Sequence, residues 1–152
     1  MNPLIAKAIA DYGQLIADQK PDELTVSSYR VKKPWGYEIW MEINEFYVLK
    51  LIQMDAGNQS SLQSHEDKYE TNFVIEGEAE VLLEDADGVL QSRVYKVGNG
   101  WSVPTGRKHR VVAKTSYTAI EASTPHLDDV VRYEDDTNRP SGRIDDEHQQ
   151  ED

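Results

Sequence analysis

The feature that most constrains this sequence is a run of short β-type segments separated by turn-forming residues. Turn-like clusters occur at 55–58, 76–77, 85–88, 98–100 and 104–106. Many short strands at close, regular spacing indicate a sandwich or barrel and not a fold in which strands alternate with helices. The sequence predicts strands near 29–33, 36–41, 45–54, 71–76, 78–84, 90–97, 101–103, 109–115 and 117–122.

Two segments of different character flank the strands. In residues 1–24 the apolar side chains recur at helical spacing, which predicts an amphipathic helix. That helix must end before Pro21, because proline disfavours helical geometry in the preceding residue. Residues 134–152 hold eight acidic residues against two arginines and predict an extended or weakly ordered tail, in which His148 has no expected role. Between them, residues 25–133 predict an all-β barrel.

Charge and composition exclude several classes of function. The formal net charge is −12, which argues against a nucleic-acid-binding surface, although half of this charge lies in the acidic tail. There is no stretch of about twenty apolar residues and no basic, apolar leader, so we expect no membrane span and a cytoplasmic location. Cysteine is absent, so a metal would have to be bound by His, Asp, Glu or an amide oxygen.

Side chains that can carry chemistry fall in two clusters. Gln63 and His65 lie two positions apart on an extended segment and therefore share a face, and Glu70 follows close to the start of the next predicted strand. In the second cluster, the turn Pro104-Thr-Gly106 leads into a strand that begins at His109. These residue types are the ones from which a metal or catalytic site can be built.

The two clusters resemble the two motifs of the cupin superfamily. The first motif is matched by Gly57, Gln63-Ser-His65, Glu70 and Gly77, and the second by Gly98, Pro104-Thr-Gly106 and His109. The resemblance implies a cupin barrel, that is, a double-stranded β-helix of the jelly-roll type. Two positions depart from the motifs, because Gln63 replaces the first His and Ala113 replaces the closing Asn.

The stretch from about Val31 to Glu134 is also similar to the cupin domain of mannose-6-phosphate isomerases. The similarity rests on Lys33-Pro-Trp-Gly-Tyr-Glu38, Ser61-Leu-Gln63, Pro104 to Arg110 and His126-Leu-Asp-Asp-Val-Val-Arg132. In those isomerases a Gln-x-His pair, a Glu and a later His bind the metal. The resemblance therefore implies a divalent metal on Gln63, His65, Glu70 and His109, with Zn as first choice and Mn, Fe, Co or Ni as alternatives.

An isomerase of this type needs residues that bind a sugar phosphate and move a proton. The sequence offers six candidates for substrate binding, which are Lys108, Arg110, Lys68, Lys50, Trp101 and Tyr69. Lys108 and Arg110 stand beside His109, where they could bind the anionic end of the substrate. For the proton transfer between neighbouring carbons, Lys108 and Glu121 are the candidates.

Three functions are consistent with these residues. The first is a metal-dependent isomerase of the mannose 6-phosphate and fructose 6-phosphate type. The second is a carbohydrate-binding or regulatory cupin without catalysis, and the third is another metal-dependent cupin enzyme, such as a dioxygenase or an epimerase. In each case the expected ligand is a sugar or sugar phosphate. A homodimer is expected, because the barrel has sheet edges to cover and the N-terminal helix has an apolar face.

Overall fold

The computed structural model describes residues 1–149, which form one α-helix, eleven strands and a short 3₁₀ helix. In chain order these are α1 (Pro3–Ala17), β1 (Tyr29–Lys33), β2 (Gly36–Ile43), β3 (Val48–Met54), β4 (Leu62–Ser64), β5 (Glu70–Glu76), β6 (Glu78–Glu84), β7 (Leu90–Lys96), β8 (Gly100–Val103), β9 (His109–Ala113), β10 (Tyr117–Ser123), β11 (Val131–Glu134) and the 3₁₀ helix (Asp145–His148).

The strands form two antiparallel sheets. One sheet has six strands in the order β1-β2-β3-β10-β5-β8, and the other has five in the order β11-β4-β9-β6-β7. Inward-facing residues of both sheets, such as Val74, Val81, Val103 and Ala119, form a buried apolar cluster. The all-β prediction is confirmed, and all nine predicted strands are present. The two strands that were not predicted, β4 and β11, have only three and four residues, and their burial does not alternate.

The chain passes from one sheet to the other at Gly77, between β5 and β6. Gly77 has a φ of +72°, and a Cβ atom there would lie 1.9 Å from the carbonyl oxygen of Ser116. Only glycine fits this backbone. The sharp turn directs β5, which carries Glu70, along one wall of the barrel, while β6 pairs with β9, which carries His109, in the other.

Helix α1 packs against its own barrel. The side chain of Asn2 accepts a hydrogen bond from the N–H of Leu4 at 2.8 Å and so caps the first turn. Ala8, Tyr12 and Ile16 are buried in one apolar cluster with residues of β1 and β2. The apolar face of the helix is therefore used within the chain, and the homodimer stays a prediction. Within residues 1–149, no helix has the length and apolar character needed to cross a bilayer.

The described part of the acidic tail contains turns and the 3₁₀ helix, and side-chain contacts fasten it to the barrel. Arg139 donates to Asp135 through Nε and Nη2, and through Nη1 to Glu147 at 2.8 Å. Glu147 also accepts a hydrogen bond from Lys33 of β1 at 2.5 Å, and its side chain is only 9% exposed. These buried ion pairs explain how a segment of such high charge density is held in place.

His148 has a structural role that the sequence does not suggest. Its ring lies 5.0 Å from the ring of Tyr12 and 5.1 Å from that of Trp40, and its carbonyl oxygen accepts from the Tyr29 hydroxyl. The expectation that His148 does nothing specific is wrong, because its ring packs in an aromatic cluster. The charge pattern of the acidic segment gives no indication of this packing.

Candidate metal centre

Strand pairing brings the two polar clusters of the sequence together. Gln63 of β4 lies opposite His109 of β9, and His65 follows directly after β4. Glu70 begins β5 in the other sheet and faces inward, since residues of β5 alternate between buried and exposed positions. The site therefore lies between the two sheets, with each sheet contributing to it.

His65, Glu70 and His109 offer ligand atoms that all lie within 4.8 Å of one another. The Nε2 atom of His65 is 3.5 Å from Oε2 of Glu70, and the Nε2 atom of His109 is 3.5 Å from Oε1 of the same carboxylate. All three residues are buried, with 2%, 6% and 2% of their surface exposed.

The hydrogen bonds of the two histidines determine which nitrogen faces the site. His65 Nδ1 lies 2.5 Å from the carbonyl oxygen of Asp129, and His109 Nδ1 lies 3.0 Å from that of Arg107. A carbonyl oxygen can only accept, so each Nδ1 carries the proton and each Nε2 presents a lone pair. Within residues 1–149, His65 Nε2 is buried without a hydrogen-bond partner. Histidine ligands of metals show this arrangement, so the residues fit a divalent ion.

Gln63 lies at the edge of this group. Its Oε1 accepts a hydrogen bond from the Ser61 hydroxyl at 2.8 Å, and its Nε2 is 3.5 Å from His109 Nε2. Turning the amide by 180° would exchange its oxygen and nitrogen. The Ser61 hydroxyl can donate to the amide oxygen or accept from the amide NH₂ group, so it can pair with either orientation. The amide is thus within reach of the site, and its role as a metal ligand stays a prediction.

Lys68 connects the metal-binding group to a second carboxylate. Its Nζ atom is 2.7 Å from Glu70 and 2.9 Å from Glu121, which faces inward from β10. Burial would raise the pKa of Glu70, but the charge of Lys68 holds it well below the usual value. Burial would likewise lower the pKa of Lys68, but Glu121 and Glu70 raise it. Lys68 therefore carries its charge next to the site.

A second buried ion pair lies on the adjoining strands. Lys50 of β3 is 3.2 Å from Glu38 of β2, and its Nζ lies 4.5 Å from the centre of the Trp40 ring. Burial acts to raise the pKa of Glu38, but Lys50 and Lys33 outweigh it and lower that pKa to about 2. Both Glu38 and Lys50 line the cavity next to the metal-binding group.

The cavity has a volume of about 120 Å³ and a highly charged wall. Its described lining contains six cationic side chains against five acidic ones. The cations are Lys33, Lys50, Lys68, Arg132, Arg139 and Arg143, and the acids are Glu38, Glu70, Glu121, Asp128 and Glu147. A divalent ion would make the excess of positive charge larger, so the cavity suits an anionic ligand.

Of the predicted site residues on strands, Lys50 and Glu121 line the cavity together with the metal-binding group, as does Lys68 from the loop before β5. Lys108 and Arg110 do not line it. Because His109 faces inward, Lys108, which directly precedes β9, and Arg110, the next residue of β9, point away from the cavity. Lys108 lies over the Tyr133 ring, and Arg110 pairs with Glu134.

The two predicted aromatic residues also lie away from the lining. Tyr69 precedes the inward-facing Glu70, so it points outward and is 45% exposed. Trp101 is buried in the apolar cluster, where its ring lies 4.9 Å from Tyr95 and 6.4 Å from Tyr117. Both residues were candidates for substrate binding because of their positions in the motifs. The alternation of side chains along β5 and β8 turns Tyr69 toward solvent and Trp101 into the apolar cluster.

Asp129 supports the site, and sequence reasoning assigned it no role. Its carboxylate accepts from the backbone N–H groups of Glu66, Asp67 and Lys68 at 3.0, 2.7 and 2.9 Å. Burial would raise the pKa of Asp129, but these three hydrogen bonds lower it. The same residue orients His65 through its carbonyl oxygen. Asp129 lies within the motif His126 to Arg132, which was the only indication of its importance.

Comparisons with solved structures identify the fold. KdgF from Halomonas sp. is 20% identical with a TM-score of 0.55, over 61% of this chain and 82% of that one. An RmlC-like cupin from Shewanella frigidimarina is 22% identical with a TM-score of 0.56, over 64% and 84%. Oxalate decarboxylase from Bacillus subtilis is 19% identical with a TM-score of 0.58, over 66% of this chain but only 29% of that one. At these identities the likeness shows the cupin fold alone.

The family is shown by a different comparison. No curated protein matches the chain. Residues 20–135, however, match the family model described as "Mannose-6-phosphate isomerase C-terminal", which covers most of the barrel and more than half of the chain. This protein therefore has the cupin fold and belongs to the family of mannose-6-phosphate isomerase C-terminal domains.

Proposed function

We propose that this protein is a metal-dependent enzyme that interconverts an aldose phosphate and a ketose phosphate, of the mannose 6-phosphate and fructose 6-phosphate type. The observation that carries the proposal is the buried group of His65, Glu70 and His109, which lines a polar cavity together with Glu121. Membership of an isomerase-related family supports the same conclusion.

The chain provides His65, Glu70 and His109 to hold a divalent ion, with Gln63 as a fourth candidate ligand. Such an ion supplies Lewis acidity toward the carbonyl and the adjacent hydroxyl of a sugar. We propose Zn as first choice, with Mn, Fe, Co or Ni as alternatives. Oxalate decarboxylase, which shares the fold, has Mn(II) centres.

Glu121 is our candidate for the general base. Isomerisation moves a proton between two neighbouring carbons, which requires a side chain that can accept a proton and return it. Glu121 lines the cavity. Its Oε1 atom lies 2.9 Å from Lys68 Nζ, and Lys68 also contacts Glu70 of the metal-binding group. Lys108, the other candidate from the sequence, does not line this cavity, and its Nζ lies over the Tyr133 ring.

The first experiment measures metal content. Elemental analysis of the wild type should find about one divalent ion per chain, and His65→Ala and His109→Ala should both lose it. His126→Ala is the matched control, because His126 hydrogen-bonds Thr124 outside the metal-binding group. Retention of the metal in both site variants would refute the centre, and no metal even after reconstitution would refute the isomerase mechanism.

The second experiment measures turnover. The metal-loaded protein should convert mannose 6-phosphate to fructose 6-phosphate without oxygen, and a chelator should stop the reaction. Glu121→Gln should lower kcat by at least a hundredfold with the metal retained, whereas Glu45→Gln, at an exposed position, should not. Saturable binding of the sugar phosphate without conversion would instead identify a carbohydrate-binding or regulatory cupin. Metal-dependent oxygen consumption would identify a dioxygenase, and inversion at one carbon an epimerase. A homodimer and a cytoplasmic location stay predictions that these assays do not address.

A further inference from the structure

The cavity is covered by a segment of the tail that lies beyond the matched family region. Residues 143–149 follow Gly142, which has a φ of +84°. Arg143, Glu147 and His148 of this segment contribute to the cavity lining. The segment contains only one turn of 3₁₀ helix, so it is held mainly by side-chain contacts, which are the Glu147 ion pairs and the packing of the His148 ring. We call residues 143–149 the C-terminal flap.

The carboxylate of Glu147 occupies a two-cation site under the flap. Its Oε2 atom is 2.5 Å from Lys33 Nζ, and its Oε1 atom is 2.8 Å from Arg139 Nη1. The side chains of Lys33 and Arg139 are 13% and 10% exposed. A phosphate group presents oxygens to a lysine and an arginine in the same way, and with more charge.

Lys33 and Arg139 differ in how far their ion pairing depends on Glu147 of the flap. Arg139 is held by Asp135 through Nε and Nη2, so its Nη1 edge stays at the cavity wall whether or not Glu147 is present. Among the described residues, Glu147 is the carboxylate that pairs with Lys33. The neighbouring Arg132 also lines the cavity, and within residues 1–149 its Nε is buried without a hydrogen-bond partner. Departure of Glu147 would leave a cationic site without its anion.

The position of Glu147 at the cavity wall places it in competition with a bound anion. Lys33, Arg139 and Glu147 all line the cavity that the metal-binding group also lines. A phosphate group in contact with both Lys33 and Arg139 would need the place of the Glu147 carboxylate, because that carboxylate already contacts both cations.

We infer that Lys33 and Arg139 form the binding site for the phosphate end of the substrate, and that the Glu147 carboxylate occupies it in the absence of ligand. A phosphorylated ligand displaces Glu147 and the C-terminal flap opens with it. The inference rests on the proposed function only in assigning the phosphate to a sugar substrate. Binding of phosphate at these cations does not require catalysis.

The test measures the affinity of inorganic phosphate by calorimetry. Glu147→Gln removes the competing charge and should tighten phosphate binding about tenfold, and adding Lys33→Met should abolish the gain. Asp146→Asn is the matched control, because Asp146 is an exposed acid in the same turn and does not touch Lys33 or Arg139. The dependence on Lys33 separates this site from phosphate bound directly to the metal. Mannose 6-phosphate should show the same gain, and unphosphorylated mannose should not.

A second readout uses the wild type and so does not depend on the folding of any variant. Saturating phosphate should increase amide hydrogen exchange in residues 143–149 and leave exchange in the barrel strands unchanged. Equal phosphate affinity in Glu147→Gln and Asp146→Asn would overturn the inference, as would unchanged exchange in the flap. Phosphate binding with this pattern but without turnover would contradict the isomerase proposal and leave the phosphate site standing.

Discussion

Asp129 offers the sharpest test of how this centre is built, because its side chain holds the loop that connects His65 to Glu70. Its carboxylate accepts three backbone N–H groups from residues 66–68, between His65 and Glu70. The substitution Asp129→Asn keeps the size of the side chain but replaces one acceptor oxygen with an NH₂ donor. That donor must face at least one backbone N–H group, so at least one hydrogen bond is lost and the others lose their charge.

The magnitude follows from these contacts. A hydrogen bond to a charged acceptor contributes about 1.5–3 kcal/mol, and a neutral one about 1 kcal/mol. Because Asp129 is only partly buried, the lower ends of these ranges apply, and losing the bond from Glu66 while neutralising the other two should lower the free energy of unfolding by about 2.5 kcal/mol. Loosening the loop also disturbs the orientation of His65, and supporting groups of this kind typically affect metal affinity by about 10- to 100-fold.

Two assays check this prediction. Urea unfolding at neutral pH measures the free energy of unfolding of the metal-free protein, and competition with a chromogenic chelator measures the metal Kd. Asp67→Asn is the control, because Asp67 lies in the same loop and loses the same charge but is exposed. If Asp129→Asn matched this control in both assays, the carboxylate would not be what holds the loop, and our account of the centre would be refuted.

Three further predictions concern residues outside the metal-binding group. Gly77→Ala should lower the free energy of unfolding, measured in urea titrations, by more than about 3 kcal/mol, because the new Cβ meets the Ser116 carbonyl oxygen. Gly57→Ala is the control and should lower it by only about 1 kcal/mol, because nothing lies within 4 Å of its Cβ position. Equal losses in the two variants would contradict this prediction. Burial, together with nearby positive charge, lowers the pKa of His148 to about 4, so the unfolded chain takes up a proton first as the pH falls. Stability should therefore fall as the pH drops from about 6.5 towards 4. The part lost by pH 5.5 should be less than about 1 kcal/mol after solvent screening, and an unchanged slope in His148→Gln would exclude this origin. Trp101→Phe should leave metal content and sugar-phosphate affinity unchanged, since the ring lies in the apolar core; a clear loss of affinity would restore the binding role expected from the sequence.

The strand pattern and the two motifs of this sequence contained most of the fold and the centre of the site. Turn-forming residues between short β-type segments are a local signal, so they located nine strands without knowledge of their partners. The spacing of Gln63, His65, Glu70 and His109 proved equally informative, since the structure brings three of them within ligand distance of one another and Gln63 beside them.

The cationic residues were placed less well, for a physical reason. Lys108 and Arg110 are next to His109 in sequence, yet a strand sends neighbouring side chains to opposite faces, so closeness in sequence excludes them from the cavity that His109 lines. Lys33, Arg139 and Glu147 meet only through long-range packing of the tail against β1. No local pattern in a single sequence encodes that contact.

The position of Asp129 along the chain affects how the protein matures. The loop between His65 and Glu70 is fastened by a residue more than sixty positions later. During synthesis this loop leaves the ribosome well before Asp129 does, so the nascent chain exposes His65 and Glu70 before they can be held in ligand geometry. Tight metal binding should therefore begin only after Asp129 has emerged, and the ion incorporated should depend on the metals available at that stage.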